Sequence, residues 1–394
     1  MWRVCGTKAK PRVINSTTGA IHEVYPRHID ELLSGQLTPF WDYREYDGSP
    51  ITVNYGPDGP ALDDIHVDIT AKCNMQCPHC YQKCGSVAGE LSVEDFDHLC
   101  SQAAQLGAAR IALSGGEALL HSRFNELPAI IAKHGLVFTA LFSNGFDMFR
   151  ARDRTNPWTQ LLFSNSPSLG QGLDKLKMIR GIKLNRPVTF STLTMDGSDI
   201  QPIFDTMMDI TGENEGQVRW RVGVVRPVGR GTEIKPDLQS VKRAYRELFD
   251  KWFPIWQVGS CRFDLQIGFA FRSDFLKYRR IDVYRPTSRC CEYKEGSLCV
   301  KWDGRVTPCS MDEHPIGHTA NLAEAWARAN NTGYRAIPSG SIPACKDCSL
   351  RSLCNGGCRL CASEGGCDPV SKMTYEFMDD IMPTLIDYGV KGAA

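Results

Sequence analysis

Ile65-His66-Val67-Asp68-Ile69, followed after three residues by Cys73-Asn74-Met75-Gln76-Cys77-Pro78-His79-Cys80, is the stretch on which the reading turns. Its first five residues alternate β-branched apolar side chains with polar ones, which predicts a strand. The cysteines then fall at separations of three and two residues, so one tight loop can aim all three sulfurs at a point. Iron–sulfur clusters normally take four thiolates, so a local set of three admits a four-iron cluster with one iron open to an outside ligand. Zinc also binds closely spaced cysteines, but Cys-x3-Cys-x2-Cys lacks the paired symmetry of a zinc ribbon.

Outward from this stretch, residues 64–250 alternate strand-like and helix-like text, the signature of parallel βα units. Ser92-Val93-Glu94-Asp95 opens a helix as a capping box would, and Phe96, Leu99, Cys100, Ala103 and Leu106 follow at helical spacing before Gly107. Cys100 on that face reads as a small buried hydrophobe. Further strands are expected at 110–113, 136–142, 160–163, 187–194 and 218–225, with helices at 124–134, 173–179, 200–210 and 238–252. About six units fit, too few for a closed eightfold barrel. Upstream, Arg12-Val13-Ile14 and Ile21-His22-Glu23-Val24 flank a turn and predict a hairpin; a short helix then runs from His28 to Gly35, and Gly48 to Pro60 reads as a linker. Beyond Cys261 the chain is loop-rich and cysteine-dense, ending in a helical segment over 371–388 interrupted at Pro383.

Composition narrows the function. The 394 residues carry 45 Lys plus Arg against 45 Asp plus Glu, so no global field exists to hold nucleic acid or an anionic membrane. No apolar run approaches the ~20 residues of a membrane span. The 17 cysteines are an odd number behind an N-terminus without a secretory signal, which predicts a reducing, cytoplasmic setting and metal rather than disulfides.

Ser114-Gly115-Gly116-Glu117 closes the strand after the cysteine triplet, and the combination resembles the radical S-adenosylmethionine (SAM) enzymes. The resemblance implies that Cys73, Cys77 and Cys80 hold a [4Fe-4S] cluster whose open iron is chelated by SAM, yielding a 5′-deoxyadenosyl radical that abstracts a substrate hydrogen. Gly115 and Gly116 allow close backbone approach, and Glu117 offers an acceptor for the SAM ammonium. Ser143, Ser191 and Arg221 are further expected SAM contacts, Arg221 within Arg219 to Arg230, which resembles the family's last barrel strand. Gly304-x4-Cys309, with Cys290 and Cys291 before it and Cys345-x2-Cys348-x5-Cys354-x3-Cys358, Cys361 and Cys367 after it, is similar to the SPASM extension of that family. That implies two auxiliary [4Fe-4S] clusters, one on Cys291, Cys299, Cys309 and Cys358 and the other on Cys345, Cys348, Cys354 and Cys367. Cys290 competes with Cys291, and Cys361 with Cys367.

The implied architecture is an α/β protein: a cap at 1–63, vaguely similar to a leader-peptide recognition module, a partial (β/α)6 barrel of TIM type at 64–260, a SPASM domain at 261–370 and a helical tail at 371–394. The implied activity is radical oxidation of a ribosomally made precursor peptide, with an electron donor such as flavodoxin or ferredoxin. A peptide epimerase would need a thiol hydrogen donor, for which Cys84 is the candidate. A formylglycine-type maturase would carry an acid directly after the cysteine of Gly-x4-Cys, where this chain has Ser310. A non-catalytic iron–sulfur carrier would not need Gly115-Gly116-Glu117.

Overall fold

The structure, a computed structural model, describes residues 2–34, 50–57, 62–172, 174–177, 186–211, 217–261, 263–268, 270–273, 276, 296–331, 339–362 and 366–391. Two sheets organise it. The first contains β1 (Trp2–Thr7), β2 (Lys10–Asn15), β3 (Ile21–Glu23) and β4 (Ile51–Val53) in the order β3-β2-β1-β4, with helix α1 (Pro26–Leu33) after β3. The hairpin is as expected, but Ile51–Val53 is a strand parallel to β1 rather than linker. Local composition there is turn-rich; pairing with a strand some fifty residues upstream is what orders it. Gly35 and both ends of the expected linker lie outside the described residues, which take in 50–57.

The second sheet carries the βα units. Its parallel strands are β5 (Asp64–Asp68), β6 (Arg110–Ser114), β7 (Val137–Ser143), β8 (Gln160–Ser164), β9 (Val188–Thr194), β10 (Val218–Val224) and β11 (Phe263–Ile267), paired in sequence order. Between them run α2 (Val93–Gln105), α3 (Leu127–Lys133), α4 (Met148–Asp153), α5 (Asp174–Lys177), α6 (Ile200–Ile210) and α7 (Leu238–Gln257). The cap expected on α2 is present: the Ser92 hydroxyl accepts from the Asp95 N–H at 3.0 Å, and Phe96, Leu99, Cys100 and Ala103 are buried beneath it. The six expected strands, β5 to β10, are all found. β10 is not the last, however, because β11 continues the sheet and β12 (Phe271–Arg272) turns back against it.

At the other edge β13 (Ser297–Val300) pairs parallel to β5, and β14 (Arg305–Thr307) and β15 (Gly317–His318) extend the sheet antiparallel. Helices α8 (Leu322–Asn331), α9 (Arg351–Cys354) and α10 (Pro369–Lys391) complete the chain. Rather than breaking at Pro383, α10 continues through it. Pro383 is exposed while Phe377, Ile381 and Leu385 are buried, so packing of that apolar face offsets the missing backbone bond. Much of that packing is aromatic: Phe377 lies edge-on to Tyr245 and Phe249 of α7, with ring centroids 5.6 and 6.4 Å apart.

The N-terminal sheet is fastened to the strand-entry end of the second sheet. Cys5 and Ile14 pack with Ala109 and Val137, the latter opening β7. Gly6 N–H donates to Gly107 O at 2.9 Å. Arg3, 1% exposed, sends its guanidinium to the carbonyls of Ala104 and Ala108 at the end of α2. Replacing Arg3 by Met keeps bulk but strands those carbonyls, and the expected cost is about 2 kcal/mol, read as a lower melting temperature of the full chain.

Candidate active site

Residues of β5 (His66), β7 (Phe142), β8 (Leu162, Phe163, Ser164), β9 (Ser191, Leu193) and β10 (Arg221, Gly223) line one cavity of about 250 Å³. Six adjacent strands laid flat would span roughly 24 Å at the usual ~4.8 Å spacing. Sharing one cavity of that size therefore requires the sheet to curl around it, as a partial barrel does. Ser310 and Met311 after Cys309, and Val370, Ser371 and Thr374 of α10, close the far side.

The cysteine loop sits at the exit of β5. Cys73, Cys77 and Cys80 are half-buried. Gly116 N–H donates to Thr70 O and Glu117 N–H to Lys72 O, both at 2.8 Å, so the β6 corner is laid directly against the loop. No side chain fits there: a Cβ on Gly115, whose φ is +141°, would stand 2.5 Å from Thr70 O, and one on Gly116 would meet Lys72 O and stand 2.9 Å from the Cys73 Cβ.

Glu117 sits inside this corner. It is fully buried, and its Oε1 accepts from Leu119 N–H at 3.2 Å and Ser143 Oγ at 3.0 Å. Oε2 accepts from Ser143 Oγ at 3.0 Å and Asn144 N–H at 2.7 Å. Three protein donors, Leu119 N–H, Ser143 Oγ and Asn144 N–H, thus converge on a carboxylate with about four lone-pair sites. Glu117 and Ser143 tie the ends of β6 and β7 together. Asn144 then reaches back to the loop, giving its Nδ2 to Asn74 Oδ1 at 2.6 Å and lying 3.9 Å from Cys73 Sγ. Ser191 and Arg221, neighbours in the β9–β10 register, do face the cavity.

Three features of the loop escaped the sequence reading. Arg230, on the turn after β10, donates Nε to Cys77 O and Nη1 to Cys84 O, each at 2.9 Å, and its backbone N–H to Cys80 O at 3.0 Å. Gly229, at φ +61°, lets that turn come down, since its Cβ would lie 2.5 Å from Cys80 O. His79 lines the cavity, and burial together with the Arg230 charge lowers it to about 4, keeping the imidazole neutral. Only contacts across 150 residues reveal these roles.

Cys84 is 3% exposed and lies behind Cys80, away from the cavity lining, with its Sγ 3.2 Å from Gln82 Oε1. The hydrogen bond from Cys84 is the largest cause holding the Cys80 thiol down to about 6, while the same bond raises Cys84. A thiolate is the form that ligates metal. Cys84 thus stands beside Cys80 in the loop.

In the C-terminal group, Cys345, Cys348, Cys354 and Cys367 line one small cavity of about 20 Å³, the foursome expected for an auxiliary cluster. Cys361 does not join them; its thiol bonds to Cys358, which that contact lowers to about 7. Cys291 lies outside the described residues. Cys299, 1% exposed, faces Asp68 with Sγ 3.6 Å from Oδ2, and the charge of Cys309 is felt at its sulfur. His66, Asp68 and Cys299 gather closely enough to hold an ion. Lys301 already supplies the cation, with Nζ 3.2 Å from Asp68 Oδ2. Asp312 is buried and bonded to His314 at 3.0 Å, so Ser310 and Met311, neither of them an acid, follow Cys309 into the cavity.

A curled parallel sheet with three thiols at its first strand exit and a second cysteine group across the cavity defines a radical-initiating iron–sulfur enzyme. Residues 67–154 match the family model of the Radical SAM superfamily, and residues 290–349 that of the SPASM iron-sulfur cluster-binding domain. The chain belongs to the radical SAM superfamily, whose members use SAM and [4Fe-4S] clusters. It is 26% identical over 312 residues to the sporulation killing factor maturation protein SkfB of Bacillus subtilis, covering 73% of this chain and 70% of SkfB. It is 30% identical over 297 residues to a probable GTP 3′,8-cyclase of Aeropyrum pernix, covering 69% and 79%. Similar solved structures include anSMEcpe with bound AdoMet and a Cp18Cys peptide, at 16% identity and TM-score 0.61, covering 84% of this chain and all of that one. Streptococcus suis SuiB bound to its precursor peptide SuiA follows, at 14% identity and TM-score 0.61, covering 91% and 96%. No described helix is long and apolar enough to cross a membrane.

Two outcomes test the loop. In Gly116→Ala the displaced cysteine loop loses the cluster it would hold, seen as roughly four irons fewer per chain after reconstitution with the far-ultraviolet circular dichroism kept. In the iron-free chain, iodoacetamide at pH 7 labels Cys80 before Cys73, whose thiol burial raises; in Cys84→Ala that preference shrinks.

Proposed function

We propose that this chain generates a 5′-deoxyadenosyl radical and oxidatively modifies a ribosomally made precursor peptide. The observation that carries the reading is the shared cavity, lined on one side by the strand ends beside the cysteine loop and on the other by residues that follow Cys309. Bound cluster and SAM supply the radical that removes a substrate hydrogen; oxidation is complete when the substrate gives up a further electron and a proton. In this reading Cys73, Cys77 and Cys80 hold the catalytic cluster, and Gly115, Gly116, Ser191 and Arg221 border SAM. Glu117 and Ser143, which join the ends of β6 and β7, border it too. Cys345, Cys348, Cys354 and Cys367 hold one auxiliary cluster, and Cys291, Cys299, Cys309 and Cys358 the other. Ser310 in place of an acid weighs against a formylglycine maturase, and the covered Cys84 against a thiol-quenching epimerase.

Peptide, rather than small-molecule, chemistry is supported by the likeness to SuiB with its precursor peptide and to SkfB, a maturation protein by name. The N-terminal sheet adds a surface for it. β3 is the edge strand of that sheet, where an extended leader could add as a further strand. Thiols rather than disulfides at the described cysteines suit a reducing cytoplasm, where a flavodoxin or ferredoxin would deliver the electron.

Anaerobic, reduced protein is expected to form 5′-deoxyadenosine from SAM, and Cys73, Cys77 and Cys80 all changed to Ala to abolish it. With a precursor peptide from the same gene neighbourhood, mass spectrometry should show loss of hydrogen. Turnover of GTP with no change in the peptide would overturn the peptide reading. Glu23→Pro on β3, whose N–H faces the open edge, should raise KM for the full-length peptide about tenfold, some 1.4 kcal/mol, and leave a leaderless peptide unaffected.

A further inference from the structure

Gln171 follows the exit of β8 and is 3% exposed. The segment that carries it is pinned at several points. Asn165 N–H donates to Ser191 O at 2.8 Å, Leu193 N–H donates to Ser166 Oγ at 2.8 Å, and Gln171 N–H donates to Ser166 O at 3.1 Å. Pro167–Leu169 form one helical turn, which Gly170 closes in the left-handed region at φ +85°. From this frame the side chain reaches the cysteine loop, 94 residues away in sequence, where Nε2 lies 3.5 Å from Cys77 Sγ. Burying an amide costs free energy unless its polar atoms are met. Oε1 has no partner among the described residues, so the sulfur of Cys77 is what holds this amide in place.

A thiolate bound to iron carries lone pairs and no proton, so the N–H end of the amide is the end that suits it. The sulfurs of the loop differ in where such donors come from. Cys73 Sγ takes a backbone one, Met75 N–H at 3.4 Å, which the folding of the loop itself supplies. Cys77 takes a side chain from another strand exit, while Arg230 holds its carbonyl at 2.9 Å. An N–H aimed at a ligand sulfur draws charge from it and so favours the reduced, more negative state of a cluster; hydrogen bonds to the sulfurs are among the levers on cluster potential. Glutamine is neutral, so the direction follows from the donor alone. We propose that Gln171 is a positioning residue whose Nε2 contact with Cys77 raises the reduction potential of the cluster held by Cys73, Cys77 and Cys80. The carrier that reduces the protein loses one electron, the cluster gains it, and no bond is made or broken.

This rests on the proposed function only in placing that cluster on the three thiols, and the test separates the two. Reconstituted full-length protein, without SAM or peptide, is titrated potentiometrically and read by electron paramagnetic resonance. The signal followed is the one that disappears when Cys73, Cys77 and Cys80 are changed to Ala. If none disappears, the placing of the cluster falls and this proposal with it; if one disappears but does not respond to Gln171, only this proposal falls. In Gln171→Leu, which fills the space without a donor, the midpoint should drop, with a ratio of reduced to oxidised cluster about fivefold lower at a fixed potential, the size expected of one hydrogen bond. Gln171→Glu, which sets a carboxylate against the thiolate, should drop it further. Gln171→Lys restores an N–H donor and should return it to the wild-type value or above. Signals that survive the triple change should keep their midpoints throughout. Loss of iron in Gln171→Leu with no shift in the clusters that remain, or equal drops in Gln171→Leu and Gln171→Lys, would make Gln171 a brace of the loop and overturn the proposal.

Discussion

Backbone contact without side chains, at Gly115 and Gly116 against Thr70 and Lys72, is the constraint on which the site depends. Two 2.8 Å hydrogen bonds join the exit of β6 to the start of the cysteine loop, in a space where a Cβ does not fit. Cys73 is thereby fixed relative to the sheet. Glu117 follows in the chain and, drawn inward by that contact, uses its buried carboxylate to hold β7 as well. Arg230 secures the other side of the loop through three carbonyls. A loop with few apolar side chains of its own is held by polar bonds from two separate strand ends, and that rigidity presents three sulfurs together.

Much of this was legible beforehand because it is local. The triplet, the Gly-Gly-Glu corner, the α2 cap and the foursome Cys345, Cys348, Cys354 and Cys367 each lie within a short window or a repeated spacing. What was not legible depends on distant partners. β13 joins β5 across more than two hundred residues, β4 joins β1 across some fifty, and the Arg226–Asp368 pair spans 142. No periodicity announces such contacts. The bonds from Ser143 and Asn144 to Glu117 were equally hidden, since an acid at a strand exit does not announce the strand it will meet. Pro383 misled for the opposite reason: a local breaker was overridden by the face that α10 buries on α7.

The C-terminal region shows two kinds of cysteine environment. Cys345, Cys348, Cys354 and Cys367 enclose a small space of their own. Cys358 and Cys361 stand by the Arg226–Asp368 pair at the edge of the large cavity, and Cys299 sits under Asp68 and Lys301. One group is set apart; the others share charged neighbours with the cavity.

The placement of the N-terminal sheet fixes a length. It grips Val137, where β7 begins, whereas Ser143, where β7 ends, belongs to the corner beside the cysteine loop. A strand of seven residues spans about 23 Å at ~3.3 Å per residue. A substrate tethered at the β3 edge, as proposed, would bridge at least that gap, so about seven extended residues would separate its anchored segment from the one that reacts. The sheet would then act as a ruler, counting residues along the peptide instead of reading the chemistry of the one to be changed.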